Sequence, residues 1–163
     1  MAGGSFLAGV FRLACALANQ ACRYGLGAHF VRLSFVLEEL ALSHAEGTFR
    51  RRLSQLGKFD LLVIDDLGTQ ALDAQARADL LELIEARADG KSTIVTSQLP
   101  ISIWHDFLSG GNKTVADATL DRLVSGSVKL ILKGESIRRK KGAKFAENPQ
   151  HADLFDNPIN PCS

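Results

Sequence analysis

Six residues, Leu61-Leu62-Val63-Ile64-Asp65-Asp66, restrict the fold more than any other stretch of the chain. A short, unbroken apolar run reads as a strand covered on both faces, the pattern of a parallel sheet with helices on either side. Two carboxylates follow at its end. A carboxylate there is costly without a partner, so the pair needs a cation or a proton. Mg²⁺ on a phosphate supplies one, because it takes hard oxygen ligands and keeps several waters. The second acid can then orient or deprotonate an attacking water. The plainer alternative is that Asp65-Asp66 only caps the turn at Leu67-Gly68.

The rest of the chain reads as strands alternating with helices. Strands are expected at residues 28–33, 60–65, 92–97 and 127–132. Helices are expected at 12–24, from Ser34 to Ala45, from Asp73 to Ala88, briefly around Trp104 and Phe107, and at 115–124. Asp73 suits a helix N-cap, and Leu80, Leu83, Ile84 and Arg87 share one helical side. Trp104 and Phe107 are expected in the core. This alternation predicts an α/β fold with a mainly parallel sheet. Ligands of such sheets sit beyond the carboxyl ends of the strands, which singles out Asp65, Asp66, Thr96 and Ser97.

Length and composition bound the function. The 163 residues suit one domain, and 46% hydrophobic with 23% charged residues excludes a disordered or collagen-like chain. No apolar run is long enough to span a membrane. Met1 to Phe11 lacks a basic n-region, so no secretion signal is expected and the cytoplasm is the default. Cys15, Cys22 and Cys162 show neither disulfide nor zinc spacing. The net charge is +1 but uneven: Lys129 to Lys144 carries seven bases and one acid, whereas Asp60 to Asp89 carries eight acids and two arginines. That division suggests cation handling in the middle and polyanion contact at the end.

Three further stretches could carry chemistry. Thr96-Ser97-Gln98 ends a β-branched strand with polar groups able to hold a phosphate or a water. Asp121-Arg122 offers a guanidinium that could act across a subunit boundary, or an ordinary surface ion pair. Lys133-Gly134-Glu135-Ser136-Ile137-Arg138-Arg139-Lys140 could meet phosphate, or be a solvated basic tail. Gly25-Leu26-Gly27 follows a helix and is no dinucleotide fingerprint. His29, His44, His105 and His151 are scattered and are not expected to bind metal or act as a base.

LLVIDDLG, STIVTSQLP with a tryptophan four residues on, DATLDRL and LKGESIRRK occur together and in order. With the segments Leu13 to Arg23 and Leu37 to Leu42, they make residues 12 to 141 resemble the IstB-like transposition helper ATPases. These are relatives of the DnaC-type helicase loaders among the AAA+ P-loop proteins. The resemblance implies a three-layer P-loop NTPase sheet of parallel strands flanked by helices. It implies ATP and Mg²⁺ as cofactors, with Asp65 as the Walker B metal acid and Asp66 at the catalytic-acid position. Ser97 corresponds to sensor 1, Arg122 to the arginine finger and Arg138 to sensor 2. Implied partners are DNA, contacted non-specifically through its backbone by Arg50 to Arg52 and the Lys129 to Lys144 stretch, a transposase or replicative helicase, and further copies of the chain.

The sequence departs from that pattern at the phosphate loop. GxxxxGK[ST] is absent. In one register the family glycines fall at Gly4 and Gly9, with Val10 and Phe11 at the lysine and hydroxyl positions. A second, starting at Gly3-Gly4-Ser5, keeps the serine and still lacks the lysine. Hydrolysis is therefore expected to be weak or absent. The strand that precedes the loop in the family is also expected to be missing from inside the sheet, beside strand 92–97. The expectation is a partial AAA+ IstB-like domain over residues 1–141, followed by a polar, fraying tail over 142–163. It would be truncated and marginally stable unless it associates. A non-catalytic interaction fragment, or a decayed member of the family, is the competing reading.

Overall fold

The computed structural model describes residues 7–88 and 90–132. Gly4, Arg138, the basic stretch beyond Leu132 and the expected tail lie outside the described residues. The elements run α1 (Leu7–Arg23), β1 (Ala28–Arg32), α2 (Leu33–Ala45), α3 (Phe49–Lys58), β2 (Leu61–Leu67), α4 (Ala74–Glu85) and β3 (Ser92–Ser97). A 3-10 turn (Ile101–Ile103), α5 (Trp104–Ser109) and α6 (Lys113–Val124) follow. Among the described residues the sheet has three strands, all parallel, in the order β1-β2-β3. The fold is α/β, with helices on both faces of that sheet.

β2 takes the centre because its side chains are apolar in both directions. Leu62 and Ile64 face a core shared with α2, α3, α4 and α5, through Val36, Leu40, Leu56, Leu83 and Leu108. Leu61 and Val63 face the other way, onto Ala14 of α1. One strand thus joins two layers, as the unbroken apolar run requires. α4 opens as its sequence predicts: the Asp73 carboxylate accepts the Ala76 N–H at 2.7 Å. Asn112 caps α6 in the same way, through the Val115 N–H at 3.3 Å. Trp104 is buried and its indole N–H donates to the Leu99 carbonyl at 3.0 Å.

Arg87 is 2% exposed, a burial that is rare for arginine without a carboxylate beside it. It lies two residues past the end of α4, beyond the buried Leu80, Leu83 and Ile84 of that helix rather than on it, and its guanidinium does more than pack. It donates to the carbonyls of Leu56 at 2.7 Å, Phe59 at 3.1 Å and Ser92 at 2.6 Å, and to the Thr93 hydroxyl at 3.0 Å. The end of α3 and the starts of β2 and β3 are thereby tied to one point at the foot of the sheet.

Four expectations are corrected. Residues 127–132 are not a strand. β3 pairs with β2 on one side, and among the described residues no strand lies on its other side, so this apolar stretch has no ladder to join. Val128, Leu130 and Ile131 are exposed as a result. α1 begins at Leu7 rather than residue 12, so Gly9, Val10 and Phe11 are helical instead of forming a loop. Ser34 is not the cap of α2; the helix begins at Leu33 and has no side-chain cap. α4 ends at Glu85, three residues before the expected Ala88.

Between β3 and the 127–132 stretch runs an apolar groove of about 940 Å³. Leu13 and Leu17 of α1, Ile94 of β3 and Leu130 are among its walls.

Candidate functional site

The twin acids sit where β2 loses its regularity. Register with β3 holds to Ile64–Val95 and resumes at Leu67–Ser97, so Asp65 and Asp66 together oppose the single residue Thr96. This is a β-bulge, a device that redirects a side chain at a strand end. Asp66 carries the strain, with φ at +65°, the one positive value outside glycine among the described residues. Aspartate and asparagine tolerate that left-handed region better than other residues with a β-carbon. Gly68, at φ +91°, completes the turn, and its α-carbon lies so close to the Leu99 side chain that no β-carbon fits between them.

The bulge gives the two carboxylates different surroundings. Asp65 is buried, and the Thr96 hydroxyl donates to its Oδ1. The same Thr96 oxygen accepts the backbone N–H of Asp66 at 3.3 Å. Asp66 is only partly covered, and its Oδ2 stands 3.8 Å from Nε of Arg32 at the end of β1. Burial raises the Asp66 pKa above the usual carboxylate range; the charge of Asp65 adds to this and Arg32 opposes it. Two adjacent acids with divergent environments suit two roles, one holding a cation and one managing a proton.

That raised value has a stability consequence. A carboxyl whose folded-state pKa lies above its unfolded one favours folding while protonated, and the contribution fades as pH climbs through the raised value. Asp66→Asn keeps a residue tolerant of the left-handed backbone and removes the charge. We expect its stability relative to the parent to improve between about pH 4 and about pH 7, read as denaturant midpoints at both pH values. An offset equal at the two would refute the expectation.

The remaining candidates are placed as follows. Ser97 donates to the Leu67 carbonyl at 2.6 Å and accepts the Leu99 N–H at 3.0 Å, so its hydroxyl is engaged in the strand-end turn. Gln98 beside it is exposed and lines the groove. Gly9 falls in the first turn of α1, where backbone N–H groups lack helical acceptors. Val10 lines the groove, and Phe11 stands edge-on to Phe30 at 5.3 Å. Arg122 is half-exposed, paired with Glu85 of α4 at 2.9 Å and donating to the Ala118 carbonyl at 3.1 Å. Arg50 and Arg51 are exposed on α3, whereas Arg52 pairs with Glu39.

Sequence reasoning missed Arg32; it singled out Thr96 as a strand-end residue but assigned it no role toward the two acids. The carboxyl-end rule for parallel strands reaches Arg32 once β1 is known to adjoin β2. Nothing in the sequence announces a bulge, and the bulge is what sets Thr96 against both acids.

The parallel sheet flanked by helices, with paired acids at the tip of its central strand, matches the fold of the P-loop AAA+ class. The solved structures share that fold. AMPPCP-bound DnaA from Aquifex aeolicus superposes with a TM-score of 0.65 at 13% identity, over 87% of this chain and 52% of that one. The DnaC helicase loader gives 0.54 at 24% identity, over 68% of this chain and 66% of that one. The family model for IstB-like ATP binding proteins matches residues 2–145, and the chain belongs to that family. It is 46% identical over 132 residues to the insertion sequence ATP-binding protein y4pL of Sinorhizobium fredii. That match takes in 81% of this chain and 53% of the relative. The chain spans about half the length of the curated relatives it matches.

Proposed function

We propose that this chain is a nucleotide-binding helper of DNA transposition that takes ATP with Mg²⁺ and hydrolyses it weakly or not at all. The observation that carries this is the bulged end of β2, which sets a buried Asp65 and a partly covered Asp66 side by side in an IstB-like chain. Asp65 is the metal acid and Asp66 the catalytic acid. Their oxygen-only donor set fits Mg²⁺, which neutralises phosphate charge when bound. The first turn of α1, with Gly9, offers backbone N–H groups to phosphate, and Gly4 precedes it. Ser97 keeps the sensor 1 role through the turn it fixes, and Arg138 keeps that of sensor 2.

No lysine supports the phosphates in either register. One missing cation at a triphosphate site costs on the order of several kcal/mol of transition-state stabilisation, so turnover is low. Arg122 acts between copies of the chain, which makes the working form a homo-oligomer. Arg50 and Arg51 on α3, with the basic stretch from Lys129, meet DNA through its phosphates without reading bases. A transposase or replicative helicase is the protein partner, and the cytoplasm is the place of action. Among the described residues no helix is long and apolar enough to cross a membrane.

The test is thermal unfolding of the purified chain with saturating Mg²⁺ and ATP or ADP, beside Asp65→Asn. A rise in midpoint that needs Mg²⁺ and disappears in the variant supports the proposal. Unchanged curves with both nucleotides refute it. Phosphate release should stay near background; robust turnover abolished by Asp66→Asn would refute weak hydrolysis.

A second reading has its own support. Arg122 is tied to Glu85, and an apolar groove borders β3. Both suit a non-catalytic interaction fragment that assembles with a longer relative. Association without nucleotide dependence would favour it.

A further inference from the structure

We propose that Thr96 is a positioning residue for the metal acid Asp65, and that its hydroxyl sets how strongly Mg²⁺ assists nucleotide binding. The proposal rests on the nucleotide reading above and adds a residue and a role to it. The bulge places two residues of β2 against one of β3, and that one is Thr96. A threonine hydroxyl has one hydrogen to give and lone pairs to receive. Here the hydrogen goes to Oδ1 of Asp65, and a lone pair takes the N–H of Asp66. One buried oxygen thus holds the first acid by its side chain and the second by its backbone.

This assignment excludes another role for Thr96. With its only hydrogen given to Asp65, the hydroxyl has none to donate to a phosphate or a water. It acts through Asp65, and Thr96 is therefore not a catalytic residue. Oδ2 of Asp65 takes part in no hydrogen bond among the described residues. Among the described residues the carboxylate is thus held through Oδ1, and Oδ2 is the oxygen that would meet a cation. Partners that orient a ligating carboxylate typically alter metal affinity by about 10–100-fold when removed. Thr96 is also 6% exposed, so water does not readily replace the lost hydroxyl.

The experiment is calorimetric titration of the full chain with ATP, once with saturating Mg²⁺ and once with EDTA. The readout is the ratio of the two affinities. Thr96→Val keeps the shape and removes the hydroxyl; Thr96→Ser keeps the hydroxyl. The ratio is expected to fall about tenfold in Thr96→Val and to stay within about twofold of the parent in Thr96→Ser, with affinity in EDTA unchanged in both. A merely structural role would lower both affinities together. If Thr96→Val does not fold, Thr96→Ala is read by the same ratio. A parent-like ratio in the hydroxyl-free variant overturns the role of Thr96 and leaves the nucleotide reading standing. No ATP binding by the parent in either condition overturns that reading and this role with it.

Discussion

Arg87→Met is expected to destabilise the fold by about 3–5 kcal/mol, a large share of the roughly 5–15 kcal/mol that holds a domain of this size together. The side chain of methionine fills much of the space and makes none of the bonds. Three carbonyls, those of Leu56, Phe59 and Ser92, and the Thr93 hydroxyl lose their donor together. A buried acceptor left alone costs about 1–3 kcal/mol, a penalty that falls in full on the Leu56 carbonyl and less on the three partly buried acceptors. Burial lowers the guanidinium pKa and Asp60 partly offsets this, yet arginine keeps its proton throughout. Arg87→Lys retains a charge and reaches fewer of the four acceptors, so it should fall between. Urea unfolding followed by circular dichroism measures both; a loss below about 1 kcal/mol for Met would show that the clamp is dispensable.

Gly68→Ala is expected to cost about 2–4 kcal/mol and to damage the site as well as the fold. Two penalties combine. Gly68 adopts φ +91°, which a residue with a β-carbon enters at about 1–2 kcal/mol. The added carbon also meets the side chain of Leu99, which is partly buried and packed against the core. Relief requires the turn after Asp66 to separate from the turn after Ser97. Those two turns continue directly from the strand ends that carry Asp65, Asp66, Thr96 and Ser97. Nucleotide affinity should therefore drop with stability in Gly68→Ala, whereas Arg87→Lys at the opposite end of the strands should lower stability alone. Equal nucleotide affinity in Gly68→Ala and the parent would refute the coupling.

Much of the fold can be read from residue types. The runs at β2 and β3 are apolar or β-branched and bounded by polar residues, and both become parallel strands. Asp73 announces its helix, and Trp104 its place in the core. The misreadings share a physical cause, namely partners distant in sequence. Residues 127–132 have a strand's composition, but a strand exists only beside another. The start of α1 is Gly-rich and reads as a loop, yet α1 packs on the sheet through Ala14, Ala18 and Ala21 and begins at Leu7. Arg87 reads in the sequence as a helical neighbour of Leu83 and Ile84, yet it lies past the end of α4 and its acceptors lie in three other segments. In the site, Asp65 and Asp66 are plain from the sequence. The bulge that sorts them, and the Thr96 and Arg32 that serve them, depend on register, which residue types alone do not encode.

The left-handed turn at position 66 has a further consequence for how lineages of this chain can vary. Glycine relaxes the backbone there but brings no acid, and glutamate brings a longer acid that suits the torsion poorly. Only the short acid satisfies bend and charge at once. A gene copy released from selection would be free to lose either, so a change at this codon to anything but the short acid marks a site no longer held to both demands.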